Sequence, residues 1–310
     1  MESSEAGAGR RSAFPVRTIL ALAVAVAAVG LTALLSASRA SPEGGALRVF
    51  VSVPPHAYLV ERIGGDQIEV EMLVPPGQDP HTFEPTPGQV VSLGRAAMFV
   101  QVGMPFERRL LARIAAGHDR LRVVDATAGI ALRDGSCTFC DHDHHHGHGE
   151  PDPHVWLSPP LLKRQAATIA EALAEANPAR AETYRRNLAV LEAELDAVDA
   201  RIRAKLAPFR GRAFYVFHPA FGYFADAYGL RQEAVEVEGK APTPRQLRAL
   251  IQRARADGVE VLFVQPQFDP SAAEVVAEAI GGRVETLDDL APELTANLER
   301  IAERIAASMP

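Results

Sequence analysis

Three histidines stand at positions from which their side chains could bind a metal ion. His81 and His154 each follow an Asp-Pro pair, and His218 directly follows a predicted strand rich in aromatic residues and Val. Asp288 follows the last predicted strand of the chain. Three imidazoles and one carboxylate are a reasonable tetrahedral ligand set for Zn2+. His81, His154 and His218, with a carboxylate from Asp288 or its neighbour Asp289, are therefore candidate ligands of a zinc site.

Each of these residues also has a purely structural interpretation. A histidine beside proline is often a loop residue that hydrogen-bonds to backbone, and Asp288 could be the N-cap of the last helix. Asp289 lies nearer the start of that helix and is the better cap by position, which would leave Asp288 free to bind metal. His56 follows another strand end and could line the same site.

The segment 141–149 has a composition that cannot build a hydrophobic core and predicts a solvated loop. It contains five of the ten histidines in the chain, which are secondary metal-binding candidates: His142, His144, His145, His146 and His148. Cys137 and Cys140, the two cysteines, lie just before it. In an oxidising compartment they could form a disulfide, or they could join the histidines around a metal.

The elements that must position the ligands alternate between strand and helix in both halves of the chain. This order predicts two α/β lobes with mostly parallel sheets. The predicted strands are Leu47–Val53, Ile68–Val74, Ala97–Gly103, Leu121–Asp125, Ala213–Phe217, Ala234–Val237, Val259–Val264 and Arg283–Leu287. Ligands of open α/β sheets bind beyond the carboxyl ends of the strands, so residues from both halves can converge in a cleft between the lobes.

A single long helix is predicted between the halves, over residues 178–207. Apolar residues recur there at spacings of three and four, and Asn177 is the expected N-cap. At 1.5 Å per residue the helix would be about 45 Å long, enough to traverse both lobes. The predicted division is therefore 46–176 for the first lobe, 177–208 for the linking helix and 209–310 for the second lobe. A coiled-coil dimer is the competing interpretation of this pattern.

The first 40 residues are typical of an export signal. Arginines at positions 10, 11 and 17 precede an uncharged run from Thr18 to Leu35, and Ser38-Arg39-Ala40 is an acceptable cleavage pattern. An uncleaved membrane anchor is the alternative, since the run is near the minimum length of a spanning helix. The chain is expected in the periplasm or on the extracytoplasmic face of the membrane. Its net charge of −7 offers no electrostatic footprint for nucleic acid.

Five segments of the sequence resemble the substrate-binding proteins of ABC importers for zinc and manganese, the adhesin-B-like family. In chain order they are Pro75–Pro85, Asp152–Pro159, Val216–Phe224, Glu238–Thr243 and Val264–Phe268. The similarity extends over essentially everything after residue 40, in the same order, so these segments are specific as a set. It implies two α/β lobes joined by one long rigid helix, with a metal site in the cleft between them.

The resemblance also implies a ligand set, a cargo and partners. The ligands would be His81, His154, His218 and the aspartate at Asp288, and a His-rich loop before the second of them is a feature of the zinc members. Manganese members have a carboxylate where this chain has His218, so Zn2+ is the expected cargo and Mn2+ the less favoured ion. The chain is expected to be a monomer without enzymatic activity that delivers its ion to an ABC permease with its ATPase.

Two other functions are compatible with a zinc site. A metal-buffering protein would act mainly through the histidines of the loop 141–149. A zinc hydrolase would need three protein ligands, a bound water and a nearby general base, for which Glu84 is the candidate. No His-Glu-x-x-His motif is present in the sequence, which disfavours the hydrolase.

We predict that the cleft binds one ion tightly and that the loop 141–149 binds further ions weakly. Ligands at strand ends are held by the fold, whereas a solvated loop must lose conformational entropy to surround a metal. In titration calorimetry, a variant that lacks residues 141–149 should keep the tight binding event and lose the weak ones. Loss of the tight event in this variant would contradict the assignment.

Overall fold

The computed structural model describes residues 46–114, 121–135, 151–236 and 242–309. The export segment 1–40, the loop 141–149, Cys137 and Cys140 lie outside the described residues, so their expected roles stay predictions. Within the described ranges, no helix is long and apolar enough to cross a membrane.

The first sheet has four parallel strands in the order β2-β1-β3-β4. Its strands are β1 (Leu47–Val51), β2 (Ile68–Met72), β3 (Met98–Gln101) and β4 (Arg122–Asp125). The central strands β1 and β3 are rich in large apolar residues, because helices cover both faces of a parallel sheet. Phe50 and Phe99 are accordingly buried. This sheet and its helices form the first lobe.

The second sheet repeats the same topology, with four parallel strands in the order β6-β5-β7-β8. Its strands are β5 (Ala213–Val216), β6 (Arg231–Ala234), β7 (Val261–Val264) and β8 (Arg283–Thr286). The sequence placed β6 three residues too late, at Ala234–Val237. β6 is an edge strand of mostly polar residues, RQEA, so it lacks the apolar run by which buried strands are recognised. This sheet and its helices form the second lobe.

Nine helices belong to the described part of the chain. They are α1 (Pro54–Gly64), α2 (Pro87–Leu93), α3 (Pro105–Ile114), α4 (Pro159–Ala176), α5 (Ala181–Leu206), α6 (Gly222–Tyr228), α7 (Pro244–Ala256), α8 (Ser271–Ile280) and α9 (Leu294–Ser308). Several begin with proline, whose missing N–H costs nothing in the first helical turn. Thr86 and Thr243 form the same capping box with a glutamine three residues later, one in each lobe.

The linking helix α5 starts later than the sequence predicted. Residues Pro178–Arg180 form a 3-10 turn, and the α-helix itself begins at Ala181. Asn177 has the predicted N-cap position, at the start of this 3-10 turn, but its side chain makes no capping hydrogen bond. The predicted apolar stripe is otherwise correct, because the helix buries Tyr184, Leu191, Leu195, Val198, Ile202 and Leu206. At 26 residues α5 is about 39 Å long.

Both lobes are packed against α5 and share a hydrophobic core. One continuous cluster of buried residues includes Phe99 and Trp156 of the first lobe and Phe214, Phe221 and Leu298 of the second. A smaller cluster lies on the second lobe alone, around Leu262 and Val276. The fold is thus the predicted pair of α/β lobes joined by a long helix, and the shared core leaves little freedom for the lobes to separate.

Polar contacts also tie α5 to both lobes at one point, Glu194. Its carboxylate accepts hydrogen bonds from Arg62 Nη2 at 2.6 Å and from Tyr58 Oη at 3.1 Å, both on α1. Thr295 Oγ1 on α9 donates to the same carboxylate at 2.9 Å. One residue of the linking helix therefore contacts a helix of each lobe at once.

Candidate metal centre

Three separate segments bring the imidazoles of His81, His154 and His218 together. His81 lies between β2 and α2, His154 immediately precedes a 3-10 turn before α4, and His218 lies two residues after β5. The Nε2 atom of His154 is 3.1 Å from that of His81 and 3.4 Å from that of His218. In the described part of the chain, these three residues form the group whose ligand atoms all lie within 4.8 Å of one another.

This spacing matches the coordination geometry of a tetrahedral transition-metal ion. With Zn–N bonds of about 2.0–2.1 Å, two nitrogens of a tetrahedron are about 3.3–3.4 Å apart. The observed distances of 3.1 and 3.4 Å lie close to that edge length. Two ligands come from the first lobe and one from the second, so an ion at this point would bind both lobes.

Carboxylates orient two of the three imidazoles. Asp152 Oδ1 lies 2.7 Å from His154 Nδ1, and Glu236 Oε2 lies 2.5 Å from His218 Nδ1. An Nδ1–H that donates to a carboxylate leaves Nε2 unprotonated, with its lone pair directed at the other rings. The carboxylates therefore select the tautomer that can bind metal and increase the basicity of the ligand nitrogen.

His81 is held differently, through its backbone. The His81 N–H donates to Asp79 Oδ1 at 2.9 Å, and Gln89 Nε2 donates to Leu73 O at 2.8 Å across the base of the same segment. Burial, together with the two neighbouring imidazoles, lowers the pKa of His81 to about 2. The ring is therefore neutral at physiological pH, as a metal ligand must be.

Asp288 and Asp289 differ in their surroundings. Asp288 Oδ1 accepts a hydrogen bond from the Leu290 N–H at 2.8 Å, and Asp288 lines a surface pocket with Arg300 and Arg304. Asp289 is only 3% exposed, and its Oδ1 accepts from Gln267 Nε2 at 2.9 Å. Burial raises the pKa of Asp289, and the hydrogen bond from Gln267 and the charges of the His154 and His218 imidazoles act in the opposite direction.

These contacts favour Asp289 over Asp288 as the carboxylate of the site. From the sequence, Asp289 is the expected N-cap of the last helix, and Asp288 is expected to be free to bind metal. Helix α9 instead begins at Leu294 with Glu293 at its N-cap position, so the expected capping role of Asp289 is wrong. Asp288 is the residue engaged by a nearby backbone N–H.

Aromatic residues enclose the polar cluster. The Trp156 ring packs edge-on against His154 with ring centroids 5.2 Å apart, and its Nε1 donates to the backbone oxygen of Asp289 at 2.7 Å. On the other side, the Phe268 ring lies 5.1 Å from the ring of His218. His154 and His218 are only 4% and 6% exposed. Such an apolar enclosure strengthens electrostatic interactions between an ion and its ligands.

Sequence reasoning missed the residues that support the ligands. Asp152 belongs to the segment Asp152–Pro159, but no role was predicted for it. A carboxylate two residues before a histidine is a sequence signal that could have indicated a hydrogen bond to the ring. Glu236 was hidden by the misplaced β6, which put it inside a strand instead of after one. No sequence signal links Trp156 to Asp289, because their contact spans 133 positions.

His56 is not part of the imidazole group. It is fully buried, with its Nε2 3.1 Å from Gln165 Nε2 and its ring 6.2 Å from that of Trp156. Burial lowers the pKa of His56 to about 4, an effect that the hydrogen bond to Gln165 partly opposes. His56 therefore lies in the core of the first lobe and does not line the site.

Comparison with known proteins identifies relatives over nearly the whole described chain. The family model described as zinc-uptake complex component A, periplasmic (ZnuA), matches residues 49–306. High-affinity zinc uptake system proteins ZnuA from Bacillus subtilis and Paracoccus denitrificans are each 31% identical. The aligned regions cover 81% of this chain and 81% of the Bacillus protein, and 82% of this chain and 85% of the Paracoccus protein.

A solved structure shares the fold as well as the sequence. The crystal structure of a ZnuA is 38% identical and superposes with a TM-score of 0.79. The match covers 86% of this chain and 100% of that one. The similarity therefore includes both sheets, the linking helix and the three segments that contain the histidines.

The buried His56 predicts that the metal-free protein loses stability in mild acid. The unfolded chain binds a proton near pH 6.5, whereas folded His56 binds one only near pH 4, so stability falls as pH decreases between these values. At pH 5 the loss from this residue is about 2 kcal/mol. Urea unfolding at pH 7 and pH 5 in the presence of a chelator should therefore show a weaker pH dependence in His56→Gln than in wild type. Equal pH dependence in the two proteins would contradict the prediction.

Proposed function

This chain belongs to the ZnuA family of zinc-uptake complex components, and we propose that it captures one Zn2+ between its lobes and delivers the ion to an ABC permease. The observation that supports capture is the convergence of three imidazole Nε2 atoms, with separations of 3.1 and 3.4 Å to His154. His81, His154 and His218 are the proposed nitrogen ligands. Asp289 is the proposed fourth ligand, in place of Asp288.

The ligand set favours zinc over manganese. Imidazole nitrogen suits Zn2+, whereas carboxylate and carbonyl oxygen suit Mn2+. The affinity order of the divalent first-row ions also puts zinc well above manganese at any given site of this kind. Three nitrogens and one oxygen add to that bias, and His218, which lies where manganese members have a carboxylate, is the residue that decides it.

Capture fits the geometry better than hydrolysis does. A hydrolytic zinc site keeps one coordination position open for water and places a general base beside it. Four protein ligands would close the tetrahedron, and Glu84, the candidate base, is exposed at the surface. The family model and the Bacillus and Paracoccus relatives are named for zinc uptake, which also favours transport over chemistry or buffering.

Delivery requires export and a membrane partner. We infer that residues 1–40 direct the chain across the membrane and that the loaded protein, as a monomer, docks on a permease driven by its ATPase. The family description as periplasmic supports this location. Because α5 and the shared core restrain both lobes, capture and release should involve small tilts and local ordering of segments around the site, not a wide hinge opening.

We predict that His218 sets the preference for zinc. In a competition assay, wild type should bind zinc far more tightly than manganese, and His218→Glu should narrow the ratio by at least tenfold, because it exchanges an imidazole for a hard oxygen ligand. Delivery is checked in cells that lack this chain, by measuring their growth at low zinc. Expression of the wild-type chain should restore that growth. A preference of wild type for manganese, or an unchanged ratio in His218→Glu, would remove the main support for zinc.

A matched pair of variants tests the fourth ligand. Asp289→Asn should weaken zinc binding by 10-fold or more, since it removes a negative charge from a buried metal site. Asp288→Asn should change zinc affinity by less than about threefold, because its side chain is engaged by Leu290 at the edge of a surface pocket. Isothermal titration with a competing chelator measures both. The opposite order of effects would assign the ligand to Asp288.

A further inference from the structure

A polar contact network joins the two lobes beside the metal centre, next to two of the proposed ligands. Tyr223 on α6 belongs to the second lobe, and its hydroxyl accepts a hydrogen bond from the Arg133 N–H at 2.8 Å. The same hydroxyl donates to the backbone oxygen of Asp152 at 2.8 Å. Asp152 in turn holds the His154 ring through Nδ1. One hydroxyl of the second lobe therefore fixes the segment that orients a ligand of the first.

The Arg133 side chain closes this network. Its guanidinium pairs with Asp226 on the exposed side of α6 and lies over the Tyr223 ring, 5.8 Å from the centroid. Its Nε is 3.9 Å from Asp152 Oδ2. The backbone of Arg133 also accepts a hydrogen bond from the Asp152 N–H at 2.9 Å. Arg133 thus contacts the carboxylate behind His154 and the helix that follows His218 at the same time.

The backbone of α6 leaves room for this arrangement only because residue 222 is glycine. A Cβ atom at Gly222 would lie 2.8 Å from Arg133 Nε and 3.2 Å from Asp152 Oδ2. Tyr223 and Asp152 are 4% and 7% exposed, so the hydrogen bonds of the hydroxyl are sheltered from water. Sheltered hydrogen bonds hold geometry more firmly than exposed ones.

We propose that Arg133, Tyr223 and Asp226 form an inter-lobe clasp that positions His154 relative to His218 and so slows the release of the bound ion. The proposal rests on the proposed function, since it concerns the same three imidazoles. Tyr223 and Arg133 are positioning residues, because they act on the ligands through Asp152 and α6. Breaking the clasp removes none of the proposed ligands. It allows Asp152 to move, and the His154 ring moves with it.

The chain offers a matched control on the same helix. Tyr228 on α6 also has an arginine over its ring, Arg203 at 5.5 Å, and its hydroxyl also donates a hydrogen bond, here to the carboxylate of Asp199 at 3.1 Å. These partners lie on α5, away from the metal centre. Tyr223→Phe and Tyr228→Phe therefore remove the same group from the same helix, and only the first breaks the clasp.

The test compares zinc dissociation rates, measured by mixing the loaded full chain with excess chelator. Tyr223→Phe should release zinc about tenfold faster than wild type, which is the usual size of the effect when a residue that supports a metal ligand is lost. Tyr228→Phe should release zinc less than twofold faster than wild type. The visible spectrum of the Co2+-loaded protein should change in Tyr223→Phe and stay unchanged in Tyr228→Phe, because it reports ligand geometry. Thermal unfolding should shift by a similar few degrees in both.

A second variant keeps the proposal testable if Tyr223→Phe does not fold. Asp226 is exposed, so Asp226→Asn should fold normally and still speed zinc release, by up to about fivefold. Equal release rates and equal Co2+ spectra for the Tyr223 and Tyr228 variants, with wild type binding zinc tightly, would overturn the clasp alone. Failure of wild type to bind zinc at all would overturn the proposed function and the clasp with it.

Discussion

Three imidazole rings converge in this protein, with Nε2 of His154 3.1 Å from that of His81 and 3.4 Å from that of His218. The carboxylates on Nδ1 of His154 and His218 leave both of their Nε2 atoms unprotonated, so these two lone pairs repel one another, and protonation of a ring would relieve the repulsion. Burial opposes this protonation, because a charged imidazole is energetically costly in apolar surroundings. The lowered pKa of His81 reflects that cost. The remaining structure must hold the rings in a crowded, neutral arrangement, which is the protonation state that a divalent cation needs in its imidazole ligands.

The two lobes and the linking helix α5 hold the three imidazoles together. The cleft lies between two sheets of identical strand order, and the buried cluster that joins the lobes runs through α5 without a break. Glu194 links α5 to a helix of each lobe, and Trp156 of the first lobe donates to Asp289 of the second. Because these contacts are distributed along the interface, a tilt of one lobe would disturb several of them together.

The sequence predicted the class of fold and the convergence of three histidines, because those features have local signals. Apolar runs mark central strands, a stripe at helical spacing marks α5, and a histidine at the end of a strand is placed by topology. It failed where the signal is not local. The edge strand β6 has three polar residues out of four and so lacks an apolar run, and its misplacement concealed Glu236. The choice between Asp288 and Asp289 depends on which of the two side chains is buried, and two adjacent aspartates carry no local signal for that.

Restraint on the three ligands is unequal, and this inequality bears on how an ion enters and leaves. His154 and His218 are fixed by carboxylates on Nδ1, at 2.7 and 2.5 Å, and by aromatic neighbours. His81, by contrast, has no carboxylate within hydrogen-bonding distance of its ring among the described residues, and it is the least buried of the three. In a frame whose lobes share one core, the proposed ligand with the fewest restraints is the one whose segment can move at the lowest energetic cost. An ion can therefore meet two preorganised imidazoles first and complete its coordination as the third becomes ordered around it.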